Sequence, residues 1–222
     1  MNKIVDYKAQ IKRIDRVASD AIKIYLAKLD TLEFDYGQFV TLMATINSEQ
    51  VTRAYSITSL PEEKDLMLYV KVVPNGKMTT YLNNLKKPFP EILLKGPFGV
   101  LTPEHIGQDF ENIVLIGAGS GIASLRPLAY YYSQVAKKQV TVVHQEKRQE
   151  YLVFKDDFIK WGVNYIPILS RQQVEGVRFG HFQDFLQDIE KPNAKYLAIG
   201  SKAFVEAVKQ SINSDNILIE AW

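Results

Sequence analysis

Cysteine is absent from all 222 residues. That absence removes disulfides, thiolate nucleophiles, zinc–thiolate sites and Cys-ligated iron–sulfur clusters together. Histidine is scarce: His105, His144 and His181 are scattered, with no i,i+4 pairing. No metal set is expected from them, and each reads as a surface or helix-capping residue. No apolar run approaches the roughly 20 residues that span a bilayer. The start, Met1-Asn2-Lys3-Ile4-Val5-Asp6, has no signal-peptide apolar core. A soluble, cytoplasmic chain without a membrane span is expected, and a monomer. An excess of one charge is missing too. The 27 basic and 25 acidic residues leave +2, shared evenly on either side of Asp109. A general grip on nucleic acid is therefore not expected. Internal repeats and low-complexity stretches are also absent.

What is present divides the chain in two. Apolar content of 46% and charged content of 23% suit an ordinary core. In the first hundred residues Ile22, Ile24 and Leu26 alternate with Lys23 and Tyr25, the period of a half-buried strand. Further strands are predicted at 38–45, 52–58, 66–73 and 92–95. Turn residues such as Tyr36-Gly37, Leu60-Pro61 and Pro74-Asn75-Gly76 separate them. Many short strands point to a small antiparallel barrel, with one helix over 79–85. After Pro103 the pattern alternates. Strands are predicted at 113–116, 140–143, 165–169, 196–199 and 217–219, and helices at 123–138, 154–161, 181–189 and 202–212. That alternation gives an α/β, Rossmann-like unit with a covered parallel sheet. The expected domains are 1–105 and 106–222, the boundary lying among Pro103, Gly107 and their polar neighbours.

Two segments carry chemistry. Gly117-Ala118-Gly119-Ser120-Gly121 falls between a strand and a helix, where backbone N–H groups and a helix N-terminus meet an anion. Ile122 stands where the usual dinucleotide fingerprint has its third glycine, and an esterase elbow centred on Ser120 fails for want of glycine at 118 and 122. A plain tight turn reads this loop equally well. The second segment is Arg53-Ala54-Tyr55-Ser56-Ile57-Thr58-Ser59. Alternation puts Arg53 and Tyr55 on one face of the strand and Ala54 and Ser56 on the other. Arginine pairs bidentately with phosphate, and a tyrosine ring stacks on a flat ligand. Alone, these residues equally suit an ordinary solvated strand.

Arg53-x-Tyr55-Ser56-Ile57-x-Ser59 resembles the flavin-binding signature of the ferredoxin–NADP reductase family. The likeness continues in order along nearly the whole chain. Leu68-Tyr69-Val70-Lys71 leading to Gly76-Lys77-Met78-Thr79-Thr80 is similar to the family's second flavin segment. Gly96-Pro97-Phe98-Gly99 is similar to its barrel-end turn, and Gly117 through Ala123 to its nicotinamide-nucleotide loop. Glu220-Ala221-Trp222 resembles the terminal Glu-x-aromatic of some branches. The resemblance implies an FAD-binding antiparallel β-barrel domain followed by an NAD(P)-binding α/β domain. It implies that Arg53, Ala54, Tyr55, Ser56, Val70, Lys71, Gly76, Lys77, Met78, Thr79 and Trp222 hold FAD. By the same likeness, Gly117, Gly119, Ser120, Gly121 and Ile122 take NADPH or NADH. Ser56 would then hydrogen-bond near flavin N5, Trp222 would guard the flavin face, and Glu220 would relay a proton or orient nicotinamide.

The sequence departs from the family at two points. The family's Cys-Gly after the nicotinamide-facing strand reads Ile199-Gly200 here, so no thiol assists, and its Gly-Ile-Ala-Pro reads Gly121-Ile122-Ala123-Ser124. Ser170-Arg171 resembles the pair that meets the 2′-phosphate in NADP-dependent members, with Arg178 a second cation for it. NADPH is favoured over NADH on that ground, although Lys147 and Arg148 read equally as a solvated turn. The implied activity is an FAD-dependent NAD(P)H oxidoreductase serving a ferredoxin or flavodoxin. Alternatives are a reductase for a partner oxygenase or small acceptors, and a non-catalytic nucleotide-binding regulatory module.

Overall fold

The computed structural model describes residues 4–212 and 215–221. They form two compact units, one ending at His105 and the other beginning at Ile106.

The first unit is a six-stranded antiparallel sheet. Its strands are β1 (Val5–Ala18), β2 (Ala21–Ala27), β3 (Phe39–Ile46), β4 (Glu49–Ser56), β5 (Asp65–Lys71) and β6 (Glu91–Phe98). Their order is β4-β3-β6-β1-β2-β5. A bridge between Ile57 and Leu68 joins the chain beyond β4 to β5, which closes the sheet on itself. Closure leaves no long free edge, the standing liability of antiparallel sheets. The period-2 residues Ile22, Ile24 and Leu26 point inward and meet Leu42, Leu68, Val70 and Leu94. Each such burial contributes roughly 1.5–3 kcal/mol. One helix, α1 (Lys77–Asn84), covers part of this barrel and drives Met78 and Leu82 into its core. A short α2 (Pro103–Ile106) follows β6.

The second unit is a parallel sheet of β7 (Asn112–Ala118), β8 (Gln139–Glu146), β9 (Asn164–Leu169), β10 (Arg178–Phe179), β11 (Ala194–Gly200) and β12 (Ile217–Ala221). The order is β10-β9-β8-β7-β11-β12. Helices α3 (Ile122–Tyr130), α4 (Lys155–Lys160), α5 (Leu186–Ile189) and α6 (Lys202–Ser211) connect the strands. The direction of progression reverses between β7 and β11. In open parallel sheets a ligand crevice lies at that reversal, outside the carboxyl ends of the strands.

Three expectations need correction. The helix foreseen over 123–138 stops being α-helical at Tyr130 and continues as a π turn over Tyr131–Val135, closed by Ala136 N–H donating to the Tyr131 carbonyl at 2.9 Å. Tyr131 and Tyr132 are thereby turned to clasp the preceding segment. Gln108 donates to the Tyr131 hydroxyl at 2.7 Å, and the Tyr132 hydroxyl donates to the Gly107 carbonyl at 2.9 Å. The helix foreseen over 181–189 is a 3₁₀ turn at Phe182–Phe185 and a single α turn, with His181 as its cap. His144, read as a surface residue, is wholly buried, because β8 runs to Glu146 and carries it beneath the helices.

Candidate functional site

In the first unit, two distant sequence segments converge. The end of β4 supplies Arg53, Ala54 and Tyr55, and the turn into α1 supplies Gly76, Lys77, Met78 and Thr79. Together with Val73 they line a hollow of about 210 Å³. Arg53 is exposed, and its Nη1 donates to the neighbouring Thr52 carbonyl at 2.7 Å. Tyr55 is half-buried and packs against the barrel core. Its hydroxyl is buried and has no hydrogen-bond partner among the described residues. Burial pushes the phenol up to about 12, the nearby Arg53 cation pulling the other way. A phenol that has lost water without gaining a partner costs about 1–3 kcal/mol.

The turn before α1 is shaped for close approach. A Cβ at Gly76 would lie 2.4 Å from Thr79 Oγ1 and 2.5 Å from Val73 Cγ2, so no larger residue fits without displacement. Thr79 is tied into the turn, its hydroxyl donating to the Gly76 carbonyl at 3.2 Å and accepting from Val73 N–H at 3.3 Å. The first turn of α1 contains no acidic residue. Its N–H groups and the helix dipole therefore favour an anion there. Lys77 pairs with Glu49 of the β3–β4 hairpin, and that lysine, first by hydrogen bond and then by charge, lowers the Glu49 carboxyl. These groups fit a flavin dinucleotide: cations and helix N–H groups for its diphosphate and a half-buried ring for its flat part. Val70 and Met78 face the core, so only their backbones are available to a ligand. Ser56 is half-buried at the end of β4, opposite Phe39, and Lys71 is half-buried at the end of β5.

In the second unit, the row His144–Gly117–Ile199–Glu220 crosses four neighbouring strands in register at their carboxyl ends. Gly117 is buried at the end of β7; Gly119, at φ +60°, turns the chain in a conformation that L side chains rarely adopt. The 3₁₀ turn Gly119–Gly121, containing Ser120, then leads into α3, where Ile122 is fully buried. Ile122 therefore anchors the helix instead of providing a third glycine. Ile199 is buried, and half-buried Glu220 has its carboxyl raised by desolvation. Trp222 lies outside the described residues.

Ser170 and Arg171 follow β9. Ser170 N–H donates to the Glu146 carbonyl at 2.8 Å, and Arg171 N–H to the Lys147 carbonyl at 3.1 Å. Those bonds set the exposed Arg171 beside the exposed pair Lys147-Arg148, a grouping signalled in the sequence only by two basic residues after a strand. Arg178 is placed differently. Its Nε and Nη2 lie 3.1 and 2.8 Å from Asp188 Oδ2. Among the described residues, no group of three His, Asp or Glu is arranged to hold a metal ion. No described helix is long and apolar enough to cross a membrane.

Comparison with known proteins agrees with this geometry. Residues 8–102 match the oxidoreductase FAD-binding domain family. The 2-halobenzoate 1,2-dioxygenase electron transfer component of Burkholderia cepacia is 24% identical over 220 residues, covering 94% of this chain and 63% of its own length. A component of the Na(+)-translocating NADH-quinone reductase of Actinobacillus pleuropneumoniae is 28% identical over 207 residues, covering 78% of this chain and 49% of its own. The chain thus spans less than two thirds of the curated relatives it matches. The structure of a ferredoxin NADP+ reductase from Neisseria gonorrhoeae with bound FAD and NADP superposes with a TM-score of 0.83 at 17% identity, covering 99% of this chain and 98% of that one. The first unit is thus an oxidoreductase FAD-binding domain. With its parallel-sheet unit, the chain has the fold of that ferredoxin NADP+ reductase. The family match over residues 8–102 supports FAD as a ligand of the first unit.

Proposed function

We propose that this chain is the flavin-bearing reductase of an electron-transfer system, taking electrons from a nicotinamide nucleotide and delivering them to a separate redox partner. The convergence of Arg53 and Tyr55 with residues 76–79 around one hollow carries this reading. A flavin held by these residues would supply the chemistry, hydride acceptance from a nicotinamide and onward release of electrons one or two at a time. The protein's part is placement. Arg53 and the start of α1 neutralise the diphosphate, Tyr55 packs on the flat ring, and Ser56 offers a hydroxyl beside it. The loop 117–122 receives the nicotinamide nucleotide, with Ile199 shaping the row by bulk alone and Glu220 orienting the nicotinamide or moving a proton.

NADPH is the favoured donor. Arg171, held beside Lys147 and Arg148, meets a 2′-phosphate dianion, whereas Arg178 is already neutralised by Asp188. The acceptor is a partner protein such as an oxygenase component, ferredoxin or flavodoxin. With no cysteine in the sequence, a Cys-ligated cluster has to lie outside these residues. The relatives described as dioxygenase electron transfer components support the oxygenase choice. Reconstitution with FAD tests the reading. A yellow protein that retains flavin through gel filtration and oxidises NADPH with an artificial acceptor is expected; a colourless protein indifferent to added FAD would point to a non-catalytic nucleotide-binding module.

A further inference from the structure

Two ionisable side chains of β8 are buried where the proposed chemistry makes no use of them. His144 and Glu146, two residues apart and so on one face of the strand, have side chains 0% and 2% exposed. His144 Nε2 lies 3.8 Å from Glu146 Oε1. Tyr165 of β9 completes the row, its hydroxyl 3.0 Å from His144 Nδ1 and its ring stacked on buried Phe158 at 5.3 Å. Burial, and then the charge of Glu146, hold the Tyr165 phenol above its ordinary range, so it keeps its proton. With that proton given to Nδ1, the ring N–H of His144 sits on Nε2 and faces Glu146. A carboxyl taken out of water is costly unless polar groups meet it in this way.

Glu146 reaches the surface through its neighbours. Its Oε2 accepts from Lys147 N–H at 3.3 Å, and its carbonyl accepts from Ser170 N–H at 2.8 Å and from Ser170 Oγ at 3.3 Å. The Lys147 carbonyl takes the Arg171 N–H at 3.1 Å, and Gln172 Oε1 takes the Gln149 N–H at 2.8 Å. The two basic turns are therefore laced together, and the side chain beneath the lacing is Glu146. Lys147, Arg148 and Arg171 are exposed and alike in charge. Left to themselves they repel, so a fixed backbone is what keeps them grouped.

Resting on the 2′-phosphate reading above, we infer that Glu146 is a positioning residue for that phosphate. Held by His144 and Tyr165, its carboxyl fixes the Lys147 amide and with it the turn that presents Lys147, Arg148 and Arg171. Glu146 acts as an acceptor and not through its charge, because a negative charge beneath a phosphate dianion opposes binding.

The test is calorimetric titration of the full chain with 2′,5′-ADP and with 5′-AMP, which differ by the 2′-phosphate alone. The wild type is expected to bind 2′,5′-ADP at least about tenfold more tightly. Glu146→Gln keeps an acceptor and drops the charge, so its preference should equal or exceed that of the wild type. Glu146→Ala removes the acceptor and should cut the preference about fivefold while 5′-AMP affinity stays put. Tyr165→Phe keeps the ring on Phe158 and loses only the hydroxyl, so it reports even where the alanine variant fails to fold. It should cut the preference about threefold. A Glu146→Ala variant that keeps the preference or weakens both ligands alike overturns the inference, as do glutamine and alanine variants that behave alike. A Tyr165→Phe variant with the wild-type preference overturns it too. Equal binding of both ligands by the wild type overturns the 2′-phosphate reading itself, a distinct result.

Discussion

Glu220 lies directly opposite Ile199 in the parallel pairing of β12 with β11. Burial raises the Glu220 carboxyl above the ordinary carboxylate range. A carboxyl that binds its proton more tightly when folded favours the native state at low pH. That advantage is lost as pH climbs from the unfolded value through the raised folded one. Urea denaturation across this window should show wild-type stability falling with rising pH and Glu220→Gln showing a shallower fall. Parallel slopes would remove the burial argument.

The orphaned Tyr55 hydroxyl makes a second expectation. Tyr55→Phe deletes a buried donor without changing the ring, so the flavin-free protein should gain about 1 kcal/mol by thermal or urea unfolding. Flavin affinity should stay nearly unchanged, because the ring that packs on the flavin is kept. An ultraviolet titration comparing the wild type with Tyr55→Phe should show the missing tyrosine as one that ionises near pH 12.

Arg171 and Arg178 separate by environment. Arg171→Ala should raise KM for NADPH roughly 10–100-fold, the loss of a charge-assisted phosphate contact, while KM for NADH stays put. Arg178→Ala should leave the NADPH-to-NADH ratio unchanged and cost less than about 1 kcal/mol of stability, as expected for an exposed ion pair. A change of ratio in the Arg178 variant would return that residue to the nucleotide site.

A fourth expectation concerns the support of the nucleotide loop. Arg126 of α3 is almost fully buried, its Nε 2.7 Å from Asp157 Oδ2 and its guanidinium 5.3 Å from the Trp161 ring centroid. Removing one partner of such a pair leaves a charge without its counterion. Asp157→Ala, which leaves the buried guanidinium without that carboxylate, should therefore cost about 3 kcal/mol in urea denaturation, and Arg126→Met less, because Asp157 is about one-third exposed and rehydrates.

Most of this architecture was legible in the sequence, because the period-2 run of β2 and the apolar strands of the second unit match their burial. β1 was not. Its charged stretch through Lys12, Arg13, Asp15 and Arg16 buries little, and register shifts after Ile11 and after Arg16 break the alternation that would have announced it. The π turn at Tyr131–Val135 was also hidden, since a hydrogen bond displaced by one residue leaves no mark on composition. The family likeness named Arg53, Tyr55 and Gly76 for one site, and the fold brings them to one hollow. It could not show that Asp188 takes up Arg178, or that Arg171 has Lys147 beside it. Both depend on which loops the parallel strands bring together at their carboxyl ends.

The most direct measurement of the central claim is anaerobic stopped-flow mixing of the FAD-reconstituted protein with NADPH and with NADH, following the visible flavin absorbance. Rapid bleaching by NADPH is expected, with NADH slower and Ser56→Ala slowed although its FAD remains bound. A flavin that keeps its colour with both nucleotides would contradict the assignment of this chain as a reductase.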